Sequence, residues 1–415
     1  MSDDLLELAS GAEERAFATR ALGFLNAHAE RRGPVSTAWG RGEEGLALFH
    51  ETVDEQERAE ARAALDWQRR RWDAGFGWIT GPPVHGGAGL ATAFDRLYRM
   101  LEAAFDVPDA SPLRIGLGTV SHALLGSGTD EQIAAHAAPL HRGETVACQL
   151  FSEPEAGSDL AGVRTRAVRD VDRWRVTGQK VWTSNATFAD IGLALVRTDP
   201  AAPKHRGLTM FLVPMDASGI EVRPLRQMTG GASFTEVFLS NVVLDDALRL
   251  GDEGAGWRVA TAALAGERKA VGDRSHDMNA RAMTLLRTLA QRSGQAADPV
   301  VRDQWAWLHS RLQVARFQQQ RMQALPETAL SGAGRSMDKI LLATNQRLIG
   351  ELAAQLLGPA FVADTGDWGT FNWNRWLMGA LGYRIAGGTE EVLKTMLAER
   401  VLELPREPRK EGSTA

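Results

Sequence analysis

The sequence predicts an α+β protein of several domains: a helical N-terminal region, a middle region of short antiparallel strands, and a helical C-terminal region. Three observations carry this. Apolar residues recur at helical spacing to about residue 142, at a spacing of two from about 145 to 250, and at helical spacing again after Gly256. A chain of 415 residues exceeds what one ordinary core organises. With 44% hydrophobic and 24% charged residues, the composition is that of a folded globular protein.

The elements follow in order. Glu13–His28 is Ala/Arg-rich without a breaker, Glu55–Trp72 is a charged amphipathic stretch, and Asp95–Ala104 and Asp130–Leu140 are shorter helical runs. The Gly and Pro cluster from Gly81 to Gly89 is a loop. Val163, Thr165 and Ala167 alternate with Arg164 and Arg166. After a turn at Asp170–Asp172, Trp174 and Val176 alternate with Arg173 and Arg175, the pattern of a hairpin. Leu193–Arg197, Thr209–Pro214, Ile220–Pro224 and Glu236–Leu239 add short strands, which together suit an antiparallel sandwich or barrel. Trp257–Gln291 contains no proline and reads as one long helix, with Gly272 the place where an interruption would fall. Runs at 300–324, 335–357 and 388–402 are further helices. The expected domains are 1–144, 145–253 and 254–406, with 407–415 a frayed tail.

Composition narrows the function. Lys+Arg 47 against Asp+Glu 52 gives a net charge of −5, so no global field favours nucleic acid or an anionic membrane. Cys148 is the single cysteine, which excludes an intramolecular disulfide and a multi-cysteine metal or iron–sulfur site. The start is acidic (Asp3, Asp4, Glu7) where a signal peptide is basic, and no apolar run reaches the ~18 residues of a membrane span, so a cytoplasmic location is expected. Neither a dinucleotide-binding glycine loop nor a Walker loop occurs. Gly251, Gly254 and Gly256 read as the turn into the long helix. His136 and His141 are five apart and read as surface histidines rather than metal ligands. No Gly-x-Ser-x-Gly elbow is present.

Two segments stand out. One is Phe151-Ser-Glu-Pro-Glu-Ala-Gly-Ser-Asp159, followed after the hairpin by Gly178-Gln-Lys-Val-Trp-Thr-Ser-Asn185. The other is Gly387-Gly-Thr-Glu-Glu-Val-Leu393, followed by Ala398-Glu-Arg-Val-Leu-Glu-Leu-Pro-Arg406. On composition alone these are a polar loop with a Trp-bearing strand, and a glycine turn leading into a helix capped by Thr389. In this order within an α–β–α chain they resemble the acyl-CoA dehydrogenase family. Gly86-Gly-Ala-Gly89, Gly128-Thr-Asp-Glu-Gln132 and Gly254-Ala-Gly-Trp257 extend the resemblance over most of the chain.

The resemblance implies an N-terminal helical domain, a middle β-barrel and a C-terminal four-helix bundle, with FAD between barrel and bundle and partly across a subunit boundary. It implies an acyl-CoA substrate, α-proton removal by a carboxylate, hydride transfer to flavin N5, and electrons passed to an electron-transfer flavoprotein. It also implies a homodimer or homotetramer, with a hetero-oligomer open. An oxidase or monooxygenase on the same scaffold, or a catalytically silent subunit, is the competing reading.

The implied roles follow residue by residue. Trp182 lies against the isoalloxazine, and Ser184, two residues on along the strand, hydrogen-bonds near N5. Phe151 and Ser152 hold the pyrimidine edge, and Ser158 contacts the CoA arm. Gln355 and Gly358 match the element that meets the adenosine part of a neighbouring subunit's FAD, with Pro359 where glycine is usual. Thr389 and Glu391 fall at the Thr and Gln positions after the glycine turn. Arg292 stands alone where an Arg-x-x-Phe stretch is common. The position that usually carries the base is Gly387, whose N–H can still polarise the thioester carbonyl. A branch of the family takes the base from the long helix, at a Glu-Arg pair that corresponds here to Glu267 and Arg268. Glu267 is the expected base, against the plainer reading of a surface Glu–Arg pair; Glu390 is the alternative, and a missing base is the third reading.

Overall fold

The structure, a computed structural model, describes residues 3–33, 46, 48, 54–325, 329–363 and 370–406, except for the side chains at 3–4, 54, 265–277, 323, 329–333 and 370–371. The chain divides into two compact units. One comprises Met1–Val35, Thr52–Leu225 and Phe234–Ala263; the other comprises Ser36–Glu51, Arg226–Ser233 and Leu264–Ala415.

The first unit opens with α1 (Asp3–Leu6), α2 (Ala12–His28), α3 (Asp54–Asp73), α4 (Thr92–Glu102), α5 (Ser121–Ser127) and α6 (Asp130–Arg142). β1 (Glu30–Arg31) and β2 (Phe105–Asp106) form a small antiparallel ribbon among them. The helices bury one stripe each, as their spacing requires. Phe17, Ala21 and Leu25 of α2 pack with Leu97, Tyr98 and Leu101 of α4 in one core. α6 starts at a capping box: Thr129 Oγ1 accepts from Gln132 N–H, and Gln132 Oε1 accepts from Thr129 N–H. The same Gln132 amide donates to Ala247 O and Arg249 O, which ties α6 to the far end of the sheet region.

His141 is not a surface residue. It is buried, its ring stacks on Trp78 at 3.7 Å, and its Nε2 lies 2.8 Å from Ser121 Oγ. Burial, with His122 and Arg71 nearby, pulls its pKa down to about 3, so the ring stays neutral.

The eight-stranded sheet holds β3 (Ala147–Leu150), β4 (Arg166–Asp170), β5 (Arg173–Ser184), β6 (Ile191–Arg197), β7 (Leu208–Pro214), β8 (Ile220–Leu225), β9 (Phe234–Asp245) and β10 (Arg249–Leu250). Its order is β10-β7-β6-β4-β5-β9-β8, with β3 also paired to β6. The β4–β5 hairpin closes with Asp170 opposite Arg173, and Val171 takes the left-handed conformation in the turn. Most pairings are antiparallel, but β3 and β4 both meet β6 in parallel. β6 and β7 are buried on both faces, which is why they read as continuous apolar runs rather than alternating ones.

The second unit contains α7 (Gly256–Arg292) from Leu264 onward, α8 (Pro299–Ala324), α9 (Ala329–Leu357), α10 (Thr370–Ile385) and α11 (Glu390–Arg400). The α7 backbone is helical throughout, without a break at Gly272. Helix α10 is absent from the sequence-based element list above. Its Asn372, Asn374, Gly379 and Gly382 are weak helix formers, and burial overrides that weakness. Trp373 and Trp376 are completely buried, and Trp376 Nε1 donates to Gln346 O at 2.7 Å. No helix among the described residues is long and apolar enough to cross a membrane, and no cluster of metal-ligating side chains occurs among them.

Candidate active site

The first unit builds its part of the site at the end of β5. β5 and β9 pair antiparallel with register shifts between Val176 and Gly178 and again between Lys180 and Thr183, the second where the strand reaches Trp182. Lys180 and Val181 are both buried, Trp182 turns outward at φ 60°, Thr183 is buried and Ser184 is half-buried. Trp182 is thereby left 61% exposed, with its ring edge-to-face with Phe234, centroids 5.9 Å apart. Asn185, also at positive φ, donates its side-chain amide to Pro112 O and fixes the strand's exit.

Lys180 anchors the strand just before Trp182. Its ammonium is fully buried and donates to Phe151 O at 3.1 Å, Leu195 O at 2.6 Å and Glu153 Oε1 at 2.8 Å. Glu153 in turn accepts from the Arg164 and Thr165 N–H groups at 2.6 and 2.9 Å. Val181 N–H donates to Ser152 O. The Phe151–Glu153 loop is thus strapped to the strand that carries Trp182 and Ser184. Burial lowers the Lys180 pKa to about 8 against the attraction of Glu153. On Glu153 burial acts upward, but Lys180 and the two backbone donors together hold the carboxyl below its usual range. Phe151 is buried, Ser152 half-buried and Ser158 exposed. Beside Ser158, Asp159 pairs with Lys204.

In the second unit, Gly387 and Gly388 both have positive φ in the turn between α10 and α11. Thr389 caps α11 by accepting from Val392 N–H at 3.2 Å. Glu390 is 5% exposed, with its oxygens 3.5 Å from Arg384 Nε and 3.7 Å from Lys394 Nζ. Glu391 is exposed and lies 3.7 Å from Arg384. Lys339 of α9, 7% exposed, donates to Gly388 O at 2.6 Å and Arg384 O at 3.3 Å. Gln355 and Gly358 are exposed at the end of α9, and Gln355 Oε1 accepts from Gln304. Pro359 sits in the first turn of the short 3-10 segment that follows, a position that needs no N–H. Arg292 is the exposed final residue of α7. The α7 backbone passes through 267 and 268, but the side chains of Glu267 and Arg268 lie outside the described residues.

The structure therefore joins Phe151, Ser152, Trp182 and Ser184 in one assembly, and Gly387, Thr389, Glu390 and Glu391 in another. Sequence reasoning missed Glu153, Lys180 and Lys339, which hold these assemblies together. The available signal was rarity: only six of the 47 cations are lysines, and among the described lysines Lys180 and Lys339 are buried.

Residues 148–242 match the acyl-CoA dehydrogenase middle domain, and residues 254–402 match the acyl-CoA dehydrogenase C-terminal domain. The acyl-CoA dehydrogenase IpdE1 of Mycobacterium tuberculosis is 35% identical over 354 residues, which are 85% of this chain and 90% of that protein. The chain belongs to the acyl-CoA dehydrogenase family. A second relative from the same organism, acyl-CoA dehydrogenase FadE34, is 42% identical over 286 residues, 68% of this chain and 38% of that protein. The solved Tcur3481-Tcur3483 steroid ACAD shares the fold, with a TM-score of 0.73 at 24% identity over 96% of this chain and 100% of that one.

Acyl-CoA dehydrogenases are FAD-dependent, and the β5 assembly fits that cofactor. A large indole left exposed on a strand whose neighbours Val181 and Thr183 are buried offers a flat face to a flat ring. Ser152 and Ser184 add accessible hydroxyls on the loop and strand beside it.

Proposed function

We propose that this chain is an FAD-dependent acyl-CoA dehydrogenase that introduces an α,β double bond into an acyl-CoA thioester. FAD, when bound, supplies the acceptor for the β hydride. The protein's residues do the rest. Trp182 covers the flavin's flat face and keeps water from it, while Ser184, Ser152 and the Phe151 backbone orient its polar edge. Glu267 takes the α proton as a carboxylate, a role in which a site closed to water raises its basicity. The Gly387 N–H donates to the thioester carbonyl as charge develops there. Ser158 contacts the CoA arm, Arg268 lies with the substrate beside Glu267, and Arg292, Gln355, Gly358, Thr389 and Glu391 attend the rest of the cofactor.

The observation that carries this reading is the strapped, outward-facing Trp182. Glu390 is engaged by Arg384 at 3.5 Å and Lys394 at 3.7 Å, although its buried Oε1 accepts no hydrogen bond among the described residues, which keeps it as the alternative base. We further propose that the electrons pass to an electron-transfer flavoprotein, and that the working form contains at least two chains.

Anaerobic reduction of the bound flavin by a panel of acyl-CoA thioesters tests the reaction. Bleaching by at least one thioester is expected; no bleaching by any, in a flavin-loaded protein, contradicts it. Trp182→Ala and Ser184→Ala are expected to lower flavin content per subunit, and full retention with unchanged spectra would place the flavin elsewhere.

A further inference from the structure

Three charged side chains from three helices close around the turn that holds Gly387: Lys339 of α9, Arg384 of α10 and Glu390 of α11. We propose that Lys339 is a positioning residue of the thioester site, clamping the Gly387–Gly388 turn so that the Gly387 N–H keeps its aim. This rests on the functional reading above, which assigns that N–H to the thioester carbonyl.

The geometry favours a clamp over a generic buried cation. Arg384 O belongs to the last turn of α10, where carbonyls lack helical partners and the helix dipole is negative. Gly388 O lies four residues on, beyond the turn. One ammonium bonds both, and so spans the segment between them. Neither Gly387 nor Gly388 has a side chain to brace the turn, and both sit in the left-handed region, so their conformation is set from outside. Two carbonyls approached from different directions suit the three rotatable donors of an ammonium better than a flat guanidinium fork. That explains a lysine here, in a chain whose other cations are mostly arginine. Glu390 supplies the nearby counter-charge that a buried cation needs.

The groups facing Lys339 are Glu390 and Glu391 of α11 and Arg384 of α10. Burial lowers its pKa to about 8, with the two carboxylates acting upward and Arg384 downward. Opening the turn to water would restore the ordinary lysine pKa and take up a proton above about pH 8, and a neutral amine still has two N–H donors for the two carbonyls, so the clamp does not weaken as pH rises through that value.

The test uses the flavin-loaded protein and Lys339→Met. Hydrogen exchange of the amides at 386–389 is expected to speed up by roughly tenfold. Affinity for an acyl-CoA thioester is expected to fall by about tenfold, while affinity for the matching thioether, which has no carbonyl, stays unchanged. A merely structural lysine would weaken both ligands alike, and that result overturns the inference, as does unchanged exchange. Should Lys339→Met fail to fold, Lys339→Arg decides: exchange at 386–389 faster than in the wild type supports the clamp, because a flat guanidinium cannot serve both carbonyls in the same way, and wild-type exchange overturns it. A wild type that binds neither ligand contradicts the functional reading instead, and the exchange measurements then settle the clamp alone.

Discussion

Lys180 and Glu153 show why residue-level chemistry decides this site. Each is buried, and each is satisfied only because the other and four main-chain groups converge on them. Removing one partner of such a pair leaves a buried charge alone, at a cost of about 3–5 kcal/mol, whereas replacing both with apolar groups is often close to neutral. Lys180→Met is therefore expected to lower thermal stability sharply and to release flavin, because Phe151 O and the strand bearing Trp182 lose their common anchor. Lys180→Met combined with Glu153→Leu is expected to recover part of that stability, because the four main-chain groups still lose their partners, and not to recover flavin. Thermal melts with flavin absorbance check both, and a double variant that regains full flavin would contradict the anchor's role. The strand that carries Trp182 and Ser184 was legible in the sequence from the alternation around Trp174 and Val176. The left-handed φ of Trp182 was not, because it falls at a register shift between β5 and β9 that no side-chain periodicity encodes.

At the scale of elements, the long periodic helices were readable almost to their ends: Glu13–His28 was expected where Ala12–His28 is found, and 300–324 where α8 runs from 299. Strands without local partners were harder. The parallel contacts of β3 and β4 with β6 join residues distant in sequence, and no periodicity encodes them. Helix α10 escaped because its stability lies in tertiary packing, with two tryptophans in the core and Leu377 pressed against Gly350 of α9. A Cβ placed at Gly350 would lie 3.0 Å from the Cβ of Leu377. Gly350→Ala is accordingly expected to destabilise the second unit by roughly 1–3 kcal/mol, less any gain in helix propensity. Denaturant melts check this, and an unchanged or higher midpoint would show that α9 and α10 yield more easily than their contact implies.

At the scale of the whole molecule, the chain's two compact units each carry part of the proposed chemistry: flavin-facing groups in the first, Gly387 and Glu267 in the second. Gln355 and Gly358, exposed at the end of α9, are the residues proposed above to attend the cofactor, and their exposure suits a role at a subunit boundary. Light scattering is expected to find the flavin-loaded protein as a dimer or larger, and a stable flavin-saturated monomer would contradict that. The central claim is that Glu267, not Glu390, takes the α proton. The most direct measurement is stopped-flow flavin reduction by a working acyl-CoA in wild type, Glu267→Gln and Glu390→Gln. Glu267→Gln is expected to keep its flavin and lose about 10²–10⁴-fold in reduction rate, while Glu390→Gln keeps most of its rate. Near-wild-type reduction by Glu267→Gln, or a dead Glu390→Gln beside it, would contradict the account.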